Sequence, residues 1–241
     1  MSLGKKIISV AAGVALIAGV GAVAATPASA KTKAAIKGTT VLAVPLTTIG
    51  AALQAGVTIA PIAPSRVQAT SEVAAVTFPV SGPRKDGVVN HREHLDGVVN
   101  HRGGISLSSA TTGITLTLTK PDIEYDTSGG DTATLTIEIN GIPDSSPFAD
   151  RNGTRVDFLT ITNFEIAGKW GKATKAGKQW RQTYMAKISG ETELVDNDSI
   201  IAALSYFMGT TIFAAGLDFG DISSDYTITN TCTTKKACSQ R

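Results

Sequence analysis

The chain predicts a mainly β protein, a single β-sandwich or an open barrel carrying two short helices. Strict alternation is the first reason. Ile114, Leu116 and Leu118 alternate with Thr115, Thr117 and Thr119, and Ala133, Leu135, Ile137 and Ile139 alternate with Thr134, Thr136 and Glu138. Period two sustained over this length buries one face and wets the other. The second reason is punctuation, because Gly, Pro, Asn and Asp clusters separate short apolar runs throughout. The third is composition: 42% of the 241 residues are hydrophobic but only 5% aromatic, so Val, Ile, Leu and Ala must build the core.

Met1–Ala30 reads as a secretory leader. Lys5-Lys6 precede an apolar run, and Ala28-Ser29-Ala30 has the form of a cleavage site. Removing Lys5 and Lys6 with it leaves 20 basic against 20 acidic residues, so no nucleic-acid partner is expected. No transmembrane segment is expected after cleavage, and the product is placed outside the cell or at its surface. Residues 31–38 read as a basic linker, 39–230 as one β domain, and 231–241 as a tail. Cys232 and Cys238 in that tail predict a local disulfide, as suits an exported chain.

Thr39–Val44 and Val57–Ile62 read as strands flanking a helix at Leu46–Ala55, entered at Pro45 and stopped at Gly56. Val73–Val80 is the next strand. Asp126–Asp131 has hairpin composition, and Asn140–Gly153 is a long loop. Within Thr154–Ile166, Val156 and Phe158 share one parity while Leu159 and Ile161 share the other. Such a switch predicts a bulge near Phe158. Thr183–Val195 is a further strand. Asp196-Asn197-Asp198 caps a helix at Ser199–Met208, stopped by Gly209, and extended segments fill Thr210–Asn230.

One stretch is written twice. DGVVNHR occupies Asp86–Arg92 and again Asp96–Arg102, and all three histidines, His91, His94 and His101, lie in or between the copies. The offset of ten residues is even, so either copy keeps inward residues inward. The second copy, next to Gly103-Gly104, is expected to hold the structural place, with the first extending outward.

Imidazoles suit zinc or haem iron, which makes His91, His94 and His101 candidate metal ligands; a solvated strand end is the alternative. Lys169–Arg181 forms a second candidate. Trp170 and Trp180 flank a flexible loop bearing Lys172, Lys175 and Lys178, and pairing of the neighbouring strands would bring the two rings together under a basic tip. Such a tip suits an anionic cell-wall polymer, an acidic lipid surface or a sugar; a solubilising hairpin is the alternative. Asp122, Glu124 and Asp126 alternate along one strand and offer weak calcium chemistry, or simply a wet face. There is no G-x-S-x-G, no cysteine beside a base and no phosphate loop. No enzyme is expected.

Several phrases together carry a resemblance: TTVLAVPLTTIGAALQAGVTIAPIAP, VTFPVSG, GVVNHRGGISL and SIIAALSYFMGTTIFAAGLDFGD, in that order. They resemble exported, mostly uncharacterised proteins of high-GC Gram-positive bacteria with HtaA-like domains, whose better-studied members bind haem at the cell surface. The resemblance implies an HtaA-like form of sandwich where periodicity alone suggests an immunoglobulin-like one. It also implies haem ligation by His and Tyr, here His101 with Tyr125 or Tyr206. The leading expectation is a non-enzymatic exported interaction module of the cell envelope without a cofactor, meeting a cell-wall polymer or another envelope protein. The alternatives are a haem or divalent-metal carrier, and a polymer- or carbohydrate-binding module.

Overall fold

A computed structural model describes residues 33–81, 97–126 and 130–239. The strands are β1 (Lys33–Pro45), β2 (Val57–Ile62), β3 (Arg66–Ala69), β4 (Val73–Pro79), β5 (Val98–Asn100) and β6 (Gly104–Ser109). They continue as β7 (Thr115–Tyr125), β8 (Ala133–Asn140), β9 (Thr154–Trp170), β10 (Thr174–Ala176), β11 (Gln179–Leu194) and β12 (Asp218–Cys232). Among the described residues three α-helices accompany them, where two were expected: α1 (Leu46–Gln54), α2 (Asp198–Met208) and, in the tail, α3 (Lys235–Ser239), with a short 3-10 helix at Ala149–Arg151.

These strands form one sheet in the order β2-β6-β7-β8-β9-β11-β12-β1-β4-β3, with β10 on β11 and β5 on β7. The strands join into one continuous ladder that curls in barrel fashion. The physical reason lies in strand length. β9, β11 and β12 run for 17, 16 and 15 residues, over which twist accumulates into curl. Bulges add bending. The register slips between Leu135 and Thr136, opposite Asp157 and Leu159, and this slip seats both Phe158 and Leu159 in the core, as the parity switch predicted.

The second DGVVNHR copy draws the curl together. β5 pairs with β7, while Ser81 N–H donates to Asn100 O at 2.8 Å and Arg102 N–H donates to Pro79 O at 3.0 Å. The strand thus links β7 to the end of β4. The glycines after it explain why this copy fits. Gly103 has φ +85°, and a Cβ there would strike Ser65 Oγ and the backbone of Ile62 and Ser65. A Cβ on Gly104 would strike the Leu118 carbonyl. Glu93 and His94 follow the first copy instead, and neither side chain has room in those places. The first copy, with His91 and His94, lies outside the described residues.

Composition placed a linker at residues 31–38, yet β1 starts at Lys33 and pairs with β12 from Lys33↔Thr231 to Ala43↔Asp221. The segment is extended because β12 offers it a long free edge. At the opposite end of the sheet, Asn197 Oδ1 accepts from the Ser199 and Ile200 amides, starting α2, and Gly209 at φ +64° ends it. Ile200, Leu204, Phe207 and Met208 point into the core, and Ser109 Oγ donates to the Met208 carbonyl at 2.8 Å.

Candidate functional site

His101 sits just beyond β5 and is 1% exposed. Its Nδ1 lies 3.1 Å from the Pro121 carbonyl, which can only accept, and its Nε2 lies 2.6 Å from Thr40 Oγ1. Thr40 Oγ1 is in turn 2.7 Å from Ser224 Oγ on β12. Both ring nitrogens are therefore engaged inside the protein, and neither faces an open ligand position. The backbone N–H of His101 also meets Asp122 Oδ1 at 3.3 Å. The candidate ligand is held as a buried strut joining β1, β7 and β12, which also replaces the solvated strand end considered for His101.

One layer along the same inner face lies a group of phenols. Ser224 and Tyr226 are two residues apart on β12, so both point inward. Tyr226 is buried, and its hydroxyl is hydrogen-bonded to Tyr125 of β7. Burial pushes the Tyr226 phenol far above its ordinary value of 10.0, and the neighbouring Tyr125 and Tyr184 phenols and the hydrogen bond to Tyr125 push the same way. Burial also raises Tyr184. The ring of Tyr125 packs on Phe164 at 5.3 Å, and Tyr184 packs on Trp170 at 5.1 Å. Ile166 beside them is 39% exposed.

Gly38 stands opposite Tyr226 and Gly168 opposite Ala186; a Cβ on Gly38 would collide with the Asp225 carbonyl and the Tyr226 Cα and Cβ, and one on Gly168 with the ring and hydroxyl of Tyr184. Tyr184 thus lies against the Gly168 backbone. This face was not read from the sequence beforehand. The available signal was parity in DYTITNTC, where Tyr226, Ile228, Asn230 and Cys232 share one side.

Tyr125 also borders a cleft of about 570 Å³ lined by Gly97, Val98, Glu124, Thr132, Thr134 and Thr160 among others. The Glu124 carboxylate on its wall is 3.7 Å from Arg155 Nε, and Arg155 also pairs with buried Asp122. That guanidinium occupies Asp122 and Glu124, two of the three carboxylates considered for calcium. Among the described residues, no group of three or more His, Cys, Asp or Glu side chains is placed to hold a metal ion.

The remaining candidates are dispersed. Tyr206 is 53% exposed on α2 and packs on Phe148 at 5.7 Å. It belongs to the helix end, where Thr112 Oγ1 donates to the Phe207 carbonyl ahead of β7, whereas Tyr125 closes β7 ten residues or about 33 Å further on. The tryptophans do not meet each other either. Trp170 stands opposite Tyr184, and Trp180 opposite Lys175 and Cys232. The insertion of β10 separates them, since four residues of extended β11 span about 13 Å. Lys172 lies before β10, and Lys175 and Lys178 flank the turn at Gly177. Lys235 Nζ lies 5.7 Å from the centre of the Trp180 ring. Cys232 and Cys238 form a disulfide with a Cα–Cα distance of 5.5 Å.

A separate apolar cavity of about 90 Å³ lies between α1 and the inner ends of β1, β4 and β6, walled by Leu42, Val76, Phe78, Leu107, Phe158 and Phe213 among others. Among the described residues no helix is long and apolar enough to cross a membrane.

No protein family and no curated protein matches the chain. Among solved structures it is similar to the haem binding protein HtaB from Corynebacterium glutamicum, with TM-score 0.45 and 14% identity over 83% of this chain and 98% of that one. It is also similar to the C-terminal domain of HtaA from Corynebacterium glutamicum, with TM-score 0.42 and 12% identity over 80% and 99%. The likeness concerns strand arrangement, and no residue role is carried over from it.

Proposed function

We propose that the chain is a non-catalytic, extracytoplasmic binding module whose ligand is haem, taken at the tyrosine rim through Tyr125. One observation carries this reading: Tyr125, hydrogen-bonded to the buried phenol of Tyr226, also stands among the residues bordering an open cleft of about 570 Å³. That volume falls in the usual range for small-molecule sites. Tyr226, kept protonated by burial and hydrogen-bonded to Tyr125, sets a neutral phenol beside the proposed oxygen donor. A phenol oxygen is an established axial donor to haem iron. Nitrogen ligation by His101 does not fit, because Thr40 and Pro121 hold both ring nitrogens. Placement outside the cytoplasm rests on the leader-like Met1–Ala30, and the Cys232–Cys238 disulfide suits an oxidising compartment.

Haem supplies the iron and the planar apolar surface; the chain supplies the oxygen and the packing face. Titrating haem into the full chain should produce a Soret band that saturates at one equivalent. Tyr125→Phe should weaken binding by about tenfold or more, since a ligand bond is lost. Tyr206→Phe should leave it unchanged. Absence of a Soret shift in the unaltered protein ends the haem reading, and unchanged binding by Tyr125→Phe moves the site elsewhere.

A further inference from the structure

Residues 33–43, 167–182 and 226–239 contain no acidic side chain. They are distant in sequence, yet the sheet lays them side by side as one end of β1, β9, β11 and β12. One row of partners runs Lys37–Thr227–Met185–Lys169, and the next pairs Thr229 with Thr183. Residues opposite one another share a face, and since Tyr226 and Ile228 are buried inward, these rows face solvent. Arg181, opposite Thr231, lies on the same outer side. The Thr183 and Thr229 hydroxyls are 3.4 Å apart between the cations. Lys172, Lys175 and Lys178 at the hairpin and Lys235 and Lys236 of α3 extend the positive field beyond the rows. The first acids along these strands are Glu165 and Asp225, and Asp225 is 3.2 Å from Lys187.

We propose that this outer face binds a soluble polyanion bearing phosphate groups. Ammonium, guanidinium and hydroxyl donors at strand spacing suit repeated anionic oxygens, and a near-neutral chain that gathers its cations at one end presents a local field its net charge conceals. A bilayer surface fits less well. Insertion needs several apolar side chains on the contacting face, and Met185, 45% exposed, is the one large exposed hydrophobic on these rows. The tryptophans lie on the inner side, Trp170 packed on Tyr184 and Trp180 beside Lys235. The inference is independent of the haem reading.

Binding of the full chain to long-chain inorganic polyphosphate, in parallel with phosphatidylglycerol vesicles, tests it. The unaltered protein should bind polyphosphate, and raising salt from about 50 to about 300 mM should weaken the complex severalfold through screening. Changing Lys37→Glu, Lys169→Glu and Arg181→Glu together should weaken it at least about tenfold, while Arg66→Glu on the far edge strand stays within about twofold. Melting temperatures verify folding, and a triple change to Gln, also expected to weaken binding, replaces the Glu variant if that fails to fold. No binding by the unaltered protein, or equal binding by the triple variant, overturns the proposal. Capture by vesicles without polyphosphate binding overturns it in favour of a membrane surface.

Discussion

The two ends of the long strands solve the same burial problem differently. At the helix end, α1, α2 and the 210–217 loop lie over the sheet. Burial there is almost wholly apolar: Phe207 and Met208 are sealed, and the cavity beneath α1 is walled by aliphatic and phenyl groups. At the arm end, β1, β9, β11 and β12 run past the closed part of the sheet and bury polar groups instead. Gln182 and Asn230 face each other across β11 and β12, and the side-chain oxygen of each lacks a protein partner. Tyr184, Tyr226 and Trp170 share that inner face with Ile228 and Ala186. Apolar packing dominates the first end; the second also buries donors and acceptors, which carry a cost where they stay unmatched. The helix end therefore holds the denser apolar packing, and both proposed binding regions fall toward the arm.

Four changes would break or sharpen that contrast. Phe207→Ala at the helix end should cost about 3–5 kcal/mol in urea denaturation, as expected for removal of a large buried ring; a loss near zero would show that this end does not anchor the fold. Gly103→Ala should cost about 1–3 kcal/mol, because the left-handed backbone and the crowding at Ser65 both oppose a side chain. Deletion of Asp86–Leu95 should change the midpoint little by comparison, since β5 remains; equal losses for the two would mean that the copies share the work.

The fourth change concerns pH. The folded Tyr226 phenol titrates above its ordinary 10.0, so on unfolding it releases its proton earlier. Its contribution to stability is complete below pH 10.0 and is lost as pH rises beyond it. Tyr226→Phe should therefore flatten the fall in urea midpoint between about pH 9 and about pH 11, leaving the smaller share due to Tyr184. An unaltered alkaline slope would place the burial of that phenol in doubt.

Much local structure was legible in particular residues. Val57–Ile62 is a strand with the bounds its composition suggests, Asn197 caps α2, Gly209 ends it, and the parity change at Phe158 marks a bulge. The candidate site was legible only in pieces. Tyr125 could be named, but its partner Tyr226 lies across the sheet on β12. For His101 a ligand and a solvated strand end were the two readings, and nothing in its sequence neighbourhood announces Thr40, 61 residues away, or the Pro121 carbonyl. Trp170 and Trp180 were expected to meet, and the three residues of β10 separate them.

The order of residues by itself determined which faces are greasy, where helices begin and end, and that the two cysteines could close a short loop, because alternation, caps and spacing act over a few residues. Tertiary structure alone decided that the faces curl into one sheet, that the second DGVVNHR copy draws it together, and that three acid-free stretches become one cationic surface. Alternation fixes which way a side chain points but not which strand lies alongside, and that choice falls to the packing of the whole sheet.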